Sequence, residues 1–128
     1  MKVITIKQPF ASLIAAGFKE YEFRTWKTNY RGEIWIHAGK SIDKKAMKKF
    51  EKYHLEYPTG CILAKADLVD CVEIKEEERA LLRKKNSLVY SGVVEHPEWK
   101  GYGFHLENVQ KVSPIFVKGK LGLWNLEK

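Results

Sequence analysis

Two runs in the second half of the chain do most to limit its fold: "CILAKADLVDCVEI" at 61–74 and "YGFHLENVQKVSPIFV" at 102–117. Both read as strands, and both exceed the roughly 5–6 residues of an ordinary strand. The first alternates only in part. Its apolar residues fall on both faces, as in a strand with one end buried on both sides. The second carries Pro114, so an interruption or bulge is expected before it. Long strands buried on two sides belong in a sandwich or in a sheet that curls toward closure, which also hides its edges.

The first half supplies two helices. "KVITI" is a short strand, followed by "QPFASLIAAG" as a helix. Pro9 suits the first helical position, Phe10, Leu13 and Ile14 make one buried face, and Gly17 fits just past the end. "RGEIWIHAG" is the next strand, with Ile34, Ile36 and Ala38 on one face and Glu33, Trp35 and His37 on the other. "SIDKKAMKKFEKYHLEY" is an amphipathic helix with Ser41 as its expected N-cap and Asp43 in its first turn. Ile42, Ala46, Phe50 and Tyr53 form its apolar stripe, and its lysines form a solvated outer face. "KEEERALLRKKN" gives a short helix, 87–101 is irregular, and "KGKLGLWNLE" is a turn at Gly119 leading to a last strand. The expectation is an α+β fold in a single domain, 1–128: a mainly antiparallel small β-barrel flanked by helices near 8–16 and 41–55.

The stretch "AGFKEYEFRTW" carries the chemistry. On a strand, Tyr21 and Phe23 point to one face, while Glu20, Glu22, Arg24 and Trp26 point to the other. Lys19 stands at its mouth, just beyond the helix stop. Glu22 and Arg24 are same-face neighbours about 7 Å apart. A carboxylate beside a guanidinium gives an acceptor and a planar donor fork, a pair able to read a base edge or hold a phosphate. Equally, the two side chains can simply pair with each other or with Lys19. Trp26 offers a flat stacking surface, and the helix starting at Pro9 offers backbone N–H groups to an anion. His37 shares a strand face with Trp35 and is a candidate for the same cleft; a lone histidine in such a place is more often a hydrogen-bonded structural residue.

The formal net charge of +7, large for 128 residues, favours a polyanionic partner. A Lys- and Glu-rich composition also fits heat adaptation. Apolar runs fall short of the ~20 residues of a membrane helix, and the first residues show no secretory pattern, so a cytoplasmic location is expected. Cys61 and Cys71 lack metal-finger spacing, and the histidines lack ligand spacing; no metal or cofactor is expected.

Stripped to its chemistry, "GFKEYEFR" is G-x-K-x-x-E-x-R. It resembles the motif of the ASCH (activating signal cointegrator homology) family. The Q-P pair at Gln8–Pro9, the tryptophan at 26, the R-G turn at 31–32, "YPTGCILAKADLVDC" and the closing strands resemble that family in order, closest to its transcriptional-cointegrator branch. The resemblance implies a PUA-like fold and a cleft between barrel and first helix. It implies ligand binding by Gln8, Pro9, Lys19, Glu22, Arg24, Trp26 and His37. RNA or DNA, or a nucleotide or nucleoside, is the implied ligand, with protein partners also in view. Relatives with hydrolase activity imply an alternative, in which Lys19, Glu22 and Arg24 would cut RNA or a modified nucleoside. One bacterial branch hydrolyses acetylated cytidine with a threonine nucleophile. This chain has Glu22 at that position, which supplies no hydroxyl.

Overall fold

A computed structural model describes residues 1–127. Six strands form one sheet in the order β2-β5-β4-β3-β1-β6, with β1 at Lys2–Gln8, β2 at Tyr21–Arg24, β3 at Gly32–Ile42, β4 at Cys61–Glu73, β5 at Tyr102–Phe116 and β6 at Leu123–Asn125. The β1–β3 pair is parallel, and the other four pairings are antiparallel. The helices are α1 at Phe10–Ala15, α2 at Lys44–Lys49, α3 at Glu76–Asn86 and α4 at Ser91–Val94. No helix among the described residues is long and apolar enough to cross a membrane.

β4 and β5 are the long strands that the sequence predicts, and they curl because they are bulged. Their register shifts between Ile62 and Ala64, between Lys65 and Asp67, and between Leu68 and Asp70. The first shift accommodates Pro114, since Ala64 pairs with Lys111 but Ile62 already pairs with Ile115. Such bulges increase twist and bend the sheet around the cluster of Ile4, Ile6, Ile34, Ile36, Ala64 and Phe104. Backbone pairing does not close that sheet: β2 and β6 are its two edges.

A second apolar cluster lies on the outer side of β2. Tyr21, Leu82, Val89, Tyr90 and Val93 meet there, so α3 and α4 cover that side. β2 thus separates two cores, and this places its inward-facing side chains at a boundary.

Several local expectations change. The helix near 41–55 is shorter, because β3 runs on through Ile42 and Asp43 caps α2 by accepting from Ala46 N–H at 3.0 Å. Ser41 is therefore strand, not cap, and Ile42 is exposed. The hydroxyl lost to an extended backbone, and a carboxylate favoured at a helix start, explain the shift. Residues 87–101 are not wholly irregular, since α4 forms within them. The final turn is at Gly122, with φ of +66°, rather than at Gly119.

Candidate functional site

α1 ends as its sequence requires. Gly17 takes φ of +87°, and the N–H groups of Phe18 and Lys19 both donate to the Leu13 carbonyl, at 2.9 and 3.2 Å. This reversal tucks the Lys19 side chain back under β2. In β2, Tyr21 turns toward the outer cluster, whereas Glu22 and Arg24 face inward opposite Phe104 and Tyr102.

The three motif side chains form one ion triad. Lys19 Nζ donates to Glu22 Oε1 at 3.0 Å and to the Tyr21 carbonyl. Arg24 Nε donates to Glu22 Oε2 at 3.1 Å, and its Nη2 lies 3.0 Å from the same oxygen. Arg24 Nη2 also donates to the Thr5 carbonyl of β1 at 2.7 Å. Lys19 and Glu22 are only 3% and 8% exposed. The Lys19 ammonium lies 4.7 Å from the Phe23 ring centroid and 5.7 Å from that of Phe10, so ring faces replace part of its lost water.

The charges follow from that packing. Burial pushes the Glu22 carboxyl up, but Lys19 and Arg24 together outweigh it and hold the group below the ordinary carboxylate range. Burial also pushes Lys19 down; Glu22 opposes this, Arg24 adds to it, and Lys19 ends below the ordinary lysine value. The anion gains from two cations, whereas each cation shares one anion with a like charge. Donor capacity remains after these bonds. One Lys19 N–H and the Nη1 end of Arg24 have no acceptor among the described residues.

The triad lines a cleft of about 1240 Å³. Its apolar lining includes Phe10, Phe23, Tyr90, Val93 and Trp99. Trp99 is held firmly. A Cβ on Gly101 would lie 2.6 Å from its Cζ2, so the indole sits directly on the glycine, and Arg79 Nη2 donates to its carbonyl at 2.6 Å. The cleft lining also includes Lys7, Lys40, Lys118 and Lys120. Glu22 is the single acidic side chain among the described residues lining the cleft, and its charge is already matched.

His37 also lines the cleft, but it is fully hydrogen-bonded. Its Nε2 is 2.7 Å from the Val117 carbonyl, an acceptor only, so Nε2 carries a proton. Nδ1 faces Thr5 Oγ1 at 3.3 Å, and that hydroxyl accepts from Trp124 Nε1 at 3.0 Å. His37 therefore ties the loop after β5 to β1. Gly119 rests against it, for a Cβ there would lie 2.7 Å from His37 Cε1.

Of the residues expected from sequence, the cleft gathers Lys19, Glu22, Arg24 and His37. Gln8 lies elsewhere. It is 0% exposed and spends its amide on Ser12 Oγ at 2.8 Å and the Pro58 carbonyl at 2.7 Å, while its Oε1 accepts from Ser12 N–H. That last bond occupies a first-turn donor of α1, and Pro9 is buried. That donor of the helix start is thus spent within the protein. Trp26 packs edge-on against Phe104, with centroids 5.1 Å apart, and does not line the cleft. β2 stops at Arg24, so its alternation does not carry to residue 26. Phe23 packs against the second apolar cluster and also lines the cleft. The lysines of the helix from 44 are outside it, whereas Lys7, Lys40, Lys118 and Lys120 were not singled out. For Lys40, Lys118 and Lys120 the one signal in sequence is a basic residue beside a glycine, in "AGK" and "KGK". Among the described residues, no group of three His, Cys, Asp or Glu side chains is placed to hold a metal.

The ASCH domain family matches residues 4–116. Activating signal cointegrator 1 of Mus musculus is 27% identical over 138 aligned positions, covering 97% of this chain and 22% of that protein. Its Homo sapiens counterpart is 26% identical over the same span. The chain thus spans about a fifth of the length of these relatives. Among solved structures, ASCH from Zymomonas mobilis aligns with a TM-score of 0.60 at 20% identity, covering 90% of this chain and 72% of that one. A single-residue mutant of the same Zymomonas mobilis protein aligns with a TM-score of 0.56, also at 20% identity, covering 90% of this chain and 74% of that one. This likeness is one of fold, and it establishes the α+β, PUA-like class, with the sheet curled but unclosed.

Proposed function

The chain belongs to the ASCH domain family, and from that premise we propose that it binds nucleic acid, RNA foremost, or a nucleotide in the cleft beside Glu22. The family is associated with RNA binding. The observation that carries the reading is that one cleft combines aromatic side chains with exposed lysines. Lys7, Lys40, Lys118 and Lys120 line the same cleft as Phe23, Tyr90 and Trp99, together with the Lys19–Glu22–Arg24 triad. Phosphates suit the lysines, which attract without discriminating, and a base suits the rings. The spare donors of Lys19 and Arg24, fixed by Glu22, then meet acceptors on a base or sugar.

The triad supports binding better than catalysis by Glu22. A carboxylate held by two cations, with its pKa lowered, is a weak base. Its role in this reading is to orient the two donors.

The test is a set of titrations of short RNA, short DNA and mononucleotides at two salt concentrations. Polynucleotide affinity should fall by roughly 0.7 log unit per log unit of salt for each phosphate contact on a single strand. Absence of binding to every one of these, in a protein shown to be folded, would overturn the proposal.

A further inference from the structure

Beside the cleft lies an exposed apolar lip that the triad leaves unexplained. Phe116 is 75% exposed and Leu121 97% exposed. Monomeric surfaces carry scattered apolar side chains, but these two bracket the basic loop with Lys118 and Lys120. Phe116 stands just outside the cleft lining, next to Val117, which lines it together with Lys118, Gly119, Lys120 and Leu121. It pairs with Cys61, whose neighbour Gly60 lines the cleft as well. The loop itself is pinned. Val117 N–H donates to the Gly60 carbonyl at 3.1 Å, and the Val117 carbonyl is held by His37 at 2.7 Å. Phe116 and Leu121 are thus presented on a fixed rim.

We propose that a single-stranded polynucleotide, rather than an isolated nucleotide, occupies this site. One base is enclosed against the aromatic side chains of the cleft, and the strand leaves over the lip, where Phe116 stacks a following base and Lys118 and Lys120 hold the phosphates between. This rests on the nucleic-acid reading above. Charge complementarity chooses the occupant: the rim lysines suit a strand with a charge at every step, and an exposed ring beside them suits any base face. A duplex keeps its bases stacked and paired, and so cannot offer one to the cleft and another to Phe116.

The experiment measures affinity by fluorescence anisotropy for oligouridylates and oligothymidylates from two to eight nucleotides. Uridine monophosphate, thymidine monophosphate and a duplex serve as competitors. The protein is wild type, Phe116→Ala, Phe116→Trp and Lys118→Ala with Lys120→Ala. Affinity should rise with length over the first several nucleotides, and the duplex should compete poorly. Phe116→Ala should weaken the longer oligomers roughly tenfold, within the range for one stacked base, and leave monophosphate binding unchanged. Phe116→Trp should restore the loss. Residue 116 is exposed, so its variants should unfold at the wild-type urea concentration. If monophosphates bind as well as octamers, or if Phe116→Ala binds octamers as wild type does, the strand path is wrong while the cleft proposal stands. That second result would leave the lip to a protein partner. If neither monomers nor oligomers bind the folded protein, the cleft proposal itself fails.

Discussion

Arg24 Nη2 donates to the carbonyl oxygen of Thr5 at 2.7 Å, and this bond spans the opening between β2 and β1. β6 covers β1 only at Lys2, Val3 and Ile4, so the Thr5 carbonyl lies just beyond the paired stretch. A side chain completes there what main-chain pairing leaves open. Since the same guanidinium holds Glu22, the motif that shapes the cleft also ties the curled sheet together.

Arg24→Ala should therefore lower both ligand affinity and stability. Loss of charge-assisted hydrogen bonds to Glu22 and Thr5 should cost about 1.5–3 kcal/mol, moderated because Arg24 is partly exposed. Arg24→Lys should recover little, because an ammonium lacks the fork needed to reach both partners. Urea denaturation gives the stability, and an unchanged midpoint for Arg24→Ala would show that the closing bond contributes nothing.

Glu22 should make the protein acid-sensitive in a defined way. Its folded pKa is below the ordinary 4.5, so its contribution is present above that value and is lost as pH falls through the lower folded pKa. Lys19 has the same sign at the other end: its folded pKa is below 10.5, so stability rises with pH between the two values. Glu22→Gln leaves Lys19 and Arg24 without their anion and should cost roughly 3–5 kcal/mol at neutral pH. The variant should also lose the acid-limb dependence due to residue 22. Denaturation curves from pH 2 to 7 for both proteins test this, and parallel acid limbs would contradict it.

Gly101→Ala should disturb the aromatic lining of the cleft. Its Cβ would meet the Arg24 carbonyl at 2.5 Å and Trp99 Cζ2 at 2.6 Å, and backbone cannot yield as a flexible side chain does. The cost should be about 1–3 kcal/mol, with a change in Trp99 fluorescence. Wild-type stability together with an unchanged emission spectrum would refute the close packing.

Neutralising Lys7 and Lys40 should flatten the salt dependence of oligonucleotide binding, by roughly 0.7 in log–log slope for each phosphate no longer held. Neutralising Lys44, Lys45 and Lys48 should change it less, because those lysines are exposed on α2 outside the cleft. The reverse order would move the binding surface to the helix.

Incubation with acetylated cytidine should release no cytidine. Glu22 offers a carboxylate where that reaction needs a hydroxyl, and both of its oxygens are already engaged. Chromatography of the products is sufficient, and rapid release dependent on the protein would place a nucleophile elsewhere in the cleft.

Local regularities were legible without coordinates. Alternation in "EYEFR" put Glu22 and Arg24 on one face, because a strand's side chains reverse at each residue whatever surrounds it. Gly17 marked the stop of α1 because a left-handed turn favours glycine. Pro114 marked the bulge of β5 because it cannot donate to a ladder. What each face meets was decided by long-range register. Thr5 and Arg24 are joined across the sheet opening, and the cleft lysines come from β1, β3 and the loop after β5. Trp26 and Gln8 matched a functional pattern, yet both went into the packing. Trp26 did so because β2 ends before it, and Gln8 because the Ser12 N–H and the Pro58 carbonyl lie within its reach. A residue's face follows from its own backbone, but its partner follows from which distant segment the folded sheet brings within hydrogen-bond reach.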